Sequence, residues 1–257
     1  MNAMDWGQSK RAFAGSIFSL LDRVEYRRIT IDADLEDVAS LRQQAYTARE
    51  FIDSENFGSF VDEYDRMEDC YVIGVYIDEK LTSTVRLHIV SADHLHGPTF
   101  TYFPHRAREL TSLGRRYVDP SRFAADQQLM WQYPMLPFLT LRVVAMACEY
   151  FRAEHATNFI RSDVASFYTR SFGSQELEPP QMVRGFTVPM MLTAARVEDI
   201  KQRLELRYPF FRSLPSEKRL MFAPESGLGY MPLTILPTAK LASGKADSRL
   251  GVSSFFT

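Results

Sequence analysis

Cys70 and Cys148 are the only cysteines in the 257 residues. With no C-x-x-C spacing they form no disulfide framework and cannot alone make a structural zinc site. Positive charge is not in excess: 30 Lys and Arg against 32 Asp and Glu leave a formal charge of -2. That balance offers no electrostatic footprint for nucleic acid. Neither G-x-G-x-x-G nor G-x-x-x-x-G-K-[ST] occurs, so a dinucleotide fold or a P-loop has no support. Long apolar runs are missing as well. The stretch from Phe13 to Leu21, preceded by Lys10 and Arg11, is too short to span a membrane, and no small-residue cleavage site follows it. It reads as a short amphipathic helix in an N-terminal extension (1–23), and the cytoplasm is the expected compartment. Five histidines include one H-x-H, His94 and His96, in the loop-like "SADHLHGPTF". Solvent-exposed side chains are expected there rather than metal ligands.

What is present suits one globular domain. Hydrophobic residues make up 46% and charged residues 24%, the ordinary range for a chain long enough to bury a core. "VEYRRITI" (Val24 to Ile31) alternates like a strand, and "DADLEDVASLRQQAYTAREF" begins on an Asp cap and carries a helical stripe. A second short helix is expected in "SFVDEYDRM". Two β-rich runs around Asp78-Glu79-Lys80 read as a hairpin, and a loop is expected from Ser91 to about Arg108. "MLPFLTLRVVAMACEYFRAEHA" is helical, with Leu139, Val143, Met146 and Tyr150 on one face. "TNFIRSDVA" is strand-like, "SFYTRSFGSQEL" a brief helix ended by Gly173, "MVRGFTVPMMLT" a last strand, and "RVEDIKQRLELRYPFF" a helix stopped by Pro209. A single domain is expected over 24–212 and an irregular tail over 213–257. An adjacent hairpin among interleaved helices predicts a mixed α/β sheet rather than a doubly wound one.

Chemistry concentrates in a few places. "RRYVDPSRFAADQQ" (Arg115 to Gln128) puts Asp119 and Arg122 on either side of Pro120, which removes a ladder N–H and argues against a regular central strand at that point. Arg42 and Tyr46 lie one helical turn apart and share a face. Asp62 and Asp65 are spaced i, i+3. Arg86 sits inside a half-buried strand, where an unpaired charge would cost several kcal/mol, roughly, so a carboxylate or a backbone acceptor must meet it. Taken singly, Arg42 and Asp65 are more often surface helix charges, and Tyr46 and Tyr168 more often core. The 19 Phe and 11 Met residues suit an adaptable apolar channel and suit a plain core equally.

Together these residues resemble a family. R-x-x-x-[FY] at Arg42 and Tyr46, then D-x-x-D at Asp62 and Asp65, then Arg86 after the hairpin, then Asp119-Pro-Ser121-Arg122-Phe123, is similar to the autoinducer synthases that make acyl-homoserine lactones. It is equally similar to the long-chain N-acyl amino acid synthases. Phe167-Tyr168-x-x-x-Phe172-Gly173 resembles a Tyr-containing segment late in the same fold. The resemblance runs from about Val24 to Ala195. It implies a GNAT-like acyltransferase with a mixed, mostly antiparallel sheet flanked by helices, and direct aminolysis of an acyl thioester by an amino acid. Asp119 is then the candidate base, with Arg122 beside the reacting centre and Tyr168 the acid for the thiolate. Arg42, Arg86, Asp62 and Asp65 would form a charged network over the acceptor, and Tyr46, Ser121 and Phe123 would line its site. Main-chain N–H groups at the irregular strand would take the oxyanion.

The chain departs from the family pattern in three places. Asp119 stands where autoinducer synthases carry Glu. Ile52 stands where they carry a Trp on the S-adenosylmethionine side of the pocket, which argues against a lactone product. "RFAADQQLMWQYPML" replaces the Gln/Arg-x-x-Gly-x-Gly/Ala loop of acetyl-CoA users, which weakens a CoA pyrophosphate site. No tightly bound cofactor is expected. Acyl-carrier protein is the more natural co-substrate than acyl-CoA, with Arg106, Arg108, Arg115, Arg116 and Arg142 as a candidate basic docking face. The rival readings are a lactone synthase using S-adenosylmethionine, a non-catalytic acyl- or carrier-binding module, and an acyltransferase for a small amine.

Overall fold

The expected hairpin is two central strands of the sheet, β2 (Cys70–Ile77) and β3 (Lys80–Val90). It turns on Asp78 and Glu79, which both take positive φ, 49° and 65°, the two-residue turn whose twist matches its flanking strands. The computed structural model describes residues 20–53, 57–224 and 232–234, so the expected N-terminal helix lies outside the described residues up to 19. Around the hairpin are β1 (Val24–Arg28), β4 (Tyr117–Ala125), β5 (His155–Arg161), β6 (Gln175–Gln181), β7 (Met190–Arg196) and the short β8 (Leu233–Thr234). The eight-stranded order is β6-β7-β5-β4-β3-β2-β1-β8. Every pairing is antiparallel except β4 with β5.

Strand alternation divides the sheet into two faces. Val72 and Tyr76 of β2 pack with Leu35 and Val38 of helix α1 (Asp32–Thr47). Tyr71, Ile73, Val75 and Ile77 face the other way, into the main core with helix α5 (Leu136–Phe151). Leu139, Val143 and Met146 of α5 are buried as its periodicity predicts, but so are Arg142, Val144 and Cys148. This helix is covered on its outer side too, by α7 (Val197–Arg207) and α8 (Pro215–Phe222).

Several expectations need correcting. Asp32 does not cap α1: the cap position is Ile31, and Asp32 and Asp34 sit in the first turn, where their charge meets the positive end of the helix dipole. The segment read as a loop holds α2 (Pro98–Tyr102) and α3 (Pro104–Thr111), each opened by a proline in its first turn. The strand expected over Met182 to Thr193 begins only at Met190, as β7, and β6 precedes it. Pro120 lies inside β4, opposite Leu87. It comes after Val118, the last residue paired with β5, so on that side there is no ladder for a missing N–H to break. Helix α6 (Ala165–Phe172), by contrast, ends on Gly173 as expected, at φ +74°.

The tail from Ser213 is not irregular throughout. Helix α8 packs on α5 through a fully buried ion pair, Arg142 Nη2 to Glu217 Oε1 at 2.9 Å. Arg142 also donates to the carbonyls of Phe210 and Arg212. This removes Arg142 from any docking surface: it is a core residue. Taking away one partner of a buried pair leaves an uncompensated charge, a loss of about 3–5 kcal/mol. Urea unfolding of Glu217→Ala should show a loss of that size, and Glu217→Gln, which keeps an acceptor, a smaller one. A loss below about 1 kcal/mol for Glu217→Ala would contradict this anchoring role.

Candidate active site

Strands β4 and β5 are paired at only two rungs, Tyr117 with His155 and Val118 with Ala156. Beyond them the strands part, and a cavity of about 290 Å³ opens between them, lined by Pro120 to Ala125 on one side and Asn158 to Arg161 on the other. It passes through the sheet. Ala45 and Tyr46 of α1, and Arg49 just beyond its end, line it on one face and Leu141 of α5 on the opposite face. On its wall β4 carries a bulge: the register with β3 slips by one between Thr84 and Arg86. There Arg122 takes φ 54°, a left-handed conformation that a non-glycine side chain adopts at a cost of roughly 1 kcal/mol or more. The β4 edge that faced β5 now faces the cavity instead of a strand.

The charged motifs converge on the α1 face. Asp62 and Asp65 owe their i, i+3 spacing to a capping box on the 3-10 turn Glu63–Arg66: Asp62 accepts from Tyr64 N, and Asp65 accepts from Asp62 N. Their remaining capacity is taken by arginines. Arg42, fully buried, donates to Asp65 at 2.9 Å and to the Phe60 carbonyl at 2.8 Å. Arg86 bridges Asp65 and Asp62 and holds Ser121 Oγ at 3.1 Å. Arg122 Nη2 reaches Asp62 at 2.8 Å. Burial alone would raise the pKa of Asp62, but Arg86 and Arg122 hold it below the usual carboxylate value. Three guanidinium groups thus share two carboxylates, and the buried Nη1 of Arg122 has no partner. Asp62, Arg86, Arg122, Ser121, Phe123 and Tyr46 line the cavity, whereas Arg42 and Asp65 stand behind and support them.

Asp119 requires a correction. It does not line the cavity; its side chain is completely buried. Thr157 Oγ1 donates to it at 2.7 Å, and the hydroxyl and main-chain N–H of Thr99 at 2.9 and 2.8 Å. Gly97, at φ +95°, leaves the room: a Cβ there would stand 3.1 Å from the carboxylate. Asp119 therefore ties α2 and β5 to β4 just where the strands part. Tyr168 of α6 does line the cavity, and burial pushes its hydroxyl up to about 12, so at neutral pH it holds its proton.

Some cavity residues escaped the sequence reading. Arg49, Arg161 and Arg184 add to Arg86 and Arg122, so five guanidiniums and one carboxylate, Asp62, face the space. Phe51, Phe57, Phe159 and Phe186 give it an aromatic wall, with Arg122 over Phe57 at 4.7 Å and Arg161 over Phe51 at 5.1 Å. Arg161 ends a predicted strand and could have been noticed. Tyr102 was hidden in the segment read as a loop. Of the arginines proposed for docking, Arg108 and Arg116 are exposed, whereas the others are engaged elsewhere. Arg106 is tied to Glu109 and Glu178, and Arg115 to its own helix end. His96 is half-buried with its ring 5.4 Å from that of His88, and His94 pairs with Asp69, so this pair is not simply solvated. Among the described residues no cluster of three His, Cys, Asp or Glu is placed to hold a metal, and no helix is long and apolar enough to cross a membrane.

The sequence model of the family described as N-acyl amino acid synthase FeeM matches residues 37–196. Among solved structures, FeeM, an N-acyl amino acid synthase from uncultured soil microbes, superposes with a TM-score of 0.59 at 15% identity, over 70% of this chain and 94% of that one. BjaI, a CoA-dependent acyl-homoserine lactone synthase, gives 0.50 at 15% identity, over 71% and 89%. No curated protein sequence matches. The fold is that of the GNAT N-acyltransferases.

The corrected place of Asp119 has a measurable consequence. Burial lifts its folded pKa to about 6, from an ordinary 3.8. Between those values the folded state holds a proton that the unfolded state has released, so stability falls as pH rises through the window. Asp119→Asn should flatten that part of the stability–pH curve, measured by urea unfolding across it. An unchanged slope would contradict the assignment.

Proposed function

The chain belongs to the FeeM family of N-acyl amino acid synthases and is an N-acyltransferase, and we propose that it joins a long-chain fatty acyl group to the amine of an amino acid. The observation that carries the reading is the cavity through the sheet, cationic on the α1 face and apolar towards α5. Such a site suits two partners at once, an anionic acceptor and a hydrophobic acyl thioester.

The acceptor's carboxylate binds at Arg122, whose place in a network of three guanidiniums and two carboxylates favours an anion. Ser121, Tyr46 and Phe123 shape the space around it. The thioester lies in the gap between β4 and β5, where main-chain N–H groups of the bulged strand stabilise the oxyanion. The amine attacks the carbonyl carbon, a C–N bond forms, the C–S bond breaks, and the thiolate takes a proton from Tyr168, which solvent then restores. Asp62, held ionised by two arginines, is too weak a base to strip an ammonium ion. The acceptor therefore reacts as its free amine, and the displaced proton leaves to solvent. A sulfonium acceptor such as S-adenosylmethionine is disfavoured by the five guanidiniums that line the cavity.

Acyl-carrier protein is the favoured donor over CoA. The helix after β4, α4 (Gln127–Gln132), is capped by Asp126, which accepts from Leu129 N at 3.0 Å. A carboxylate thus occupies the amides that a pyrophosphate would use. Arg49, along the cavity, suits the acidic carrier's phosphopantetheine; Arg161 beside it is paired with Asp163. No cofactor is held between turnovers, and the cytoplasm, where such thioesters are made, is the expected compartment.

Purified protein supplied with acyl-carrier protein or acyl-CoA and pooled amino acids should yield an acyl amide by mass spectrometry, faster from the carrier. Arg122→Ala should lower kcat/KM about 100-fold, chiefly through the acceptor's KM, and Arg122→Lys should not restore it. Amide formed with the acceptor's KM unmoved by Arg122→Ala would contradict the acceptor site. The kcat/KM should keep rising with pH towards the acceptor amine's own pKa. A plateau above about pH 6 would instead return Asp119 to the role of base.

A further inference from the structure

The inner end of the cavity is a wall with space behind it. Leu141, Asn158 and Tyr168 line both the main cavity and a second pocket of about 20 Å³. No charged side chain lines that pocket. Alanines from three elements, Ala145 of α5, Ala156 of β5 and Ala195 of β7, leave it room, the last two directly opposite each other in the sheet. Of the three shared residues, Asn158 is held by a hydrogen bond to Ser174 Oγ at 3.3 Å, and Tyr168 carries the acid role. Leu141 is therefore the one aliphatic partition. It is 6% exposed and sits on the α5 face of the sheet, away from the network of Asp62, Arg86 and Arg122.

We propose that Leu141 is the end-stop of the acyl-chain site and sets the length of the chain the protein accepts. The inference rests on the acyl-transfer reading for the direction of the chain: the charged acceptor end lies on one face of the sheet, so the tail runs towards the other. A chain whose methyl end meets Leu141 fits. A longer one must displace this side chain or fold back, and one methylene too many in an apolar pocket is worth roughly tenfold or more.

The test uses the purified full-length protein, its Leu141→Ala and Leu141→Phe variants, and Leu141→Val as a milder change should either fail to fold. Binding is measured for a graded series of S-alkyl pantetheine thioethers, each longer than the last by an ethylene unit, and turnover for the matching acyl thioesters. Leu141→Ala should move the tightest-binding chain at least one step longer, gaining about tenfold or more on the longer member. Leu141→Phe should move it shorter. A profile that keeps its shape in all variants, or weakens equally at every length, overturns the proposal. If the profile shifts while no protein turns over any thioester, the end-stop stands and the acyl-transfer reading fails; turnover with an unshifted profile is the reverse.

Discussion

Two rungs of parallel pairing hold β4 against β5, and the molecule is arranged around what happens after the second. A sheet normally continues once begun, because each unpaired buried N–H or carbonyl carries a cost. Here three features mark the point where the pairing ends. Pro120 removes a donor just beyond the last rung. The bulge at Arg122 turns the β4 edge by spending an unfavourable left-handed residue. Asp119, gripped by Thr99 and Thr157, fastens β4 to β5 and α2 immediately before the gap. The gap provides a passage between the two faces of the sheet, from the charged network on the α1 side to apolar residues towards α5.

The second constraint is electrostatic. Burying Arg42, Asp65 and Arg86 is expensive, and removing one member would strand the others. The network tolerates this because each carboxylate serves twice, once in the capping box of the short turn and once against the arginines. Arg42 and Asp65 form its dry base, and the half-exposed end is Asp62 with Arg122. Rigid charge placed in advance is what a site needs if it is to hold an anion without reorganising.

How much of this was legible depended on the kind of signal. The hairpin, helix α5 and the end of α6 at Gly173 each follow from local periodicity or from one residue's conformational freedom, and each appears where expected. Arg42, Asp62, Asp65, Arg86 and Arg122 were found through motif spacing, and they do meet. Helices α2 and α3 were missed because polar and histidine content outweighed the prolines that open them. The place of Pro120 in β4 was missed because sequence cannot say that a neighbouring strand will have left. The buried surroundings of Asp119 are illegible for a related reason: adjacency to Arg122 along a strand puts the two side chains in different surroundings once a bulge intervenes. Arg142 looked like one more surface arginine, since nothing local reveals that Glu217, far along the chain, will arrive to bury it. The aromatic wall from Phe51 to Phe186 is assembled from segments too distant for any pattern to connect.

We propose that amide bonds form between fatty acyl groups and amino acids in the gap between β4 and β5. The most direct test is mass spectrometry of lipid extracts from a bacterial host that expresses the protein, beside an empty-vector control. New ions at the mass of a long-chain fatty acid joined to an amino acid are the expected result, and they would name both substrates. Acyl-homoserine lactones in their place, or no new lipid from a host containing soluble protein, would contradict it.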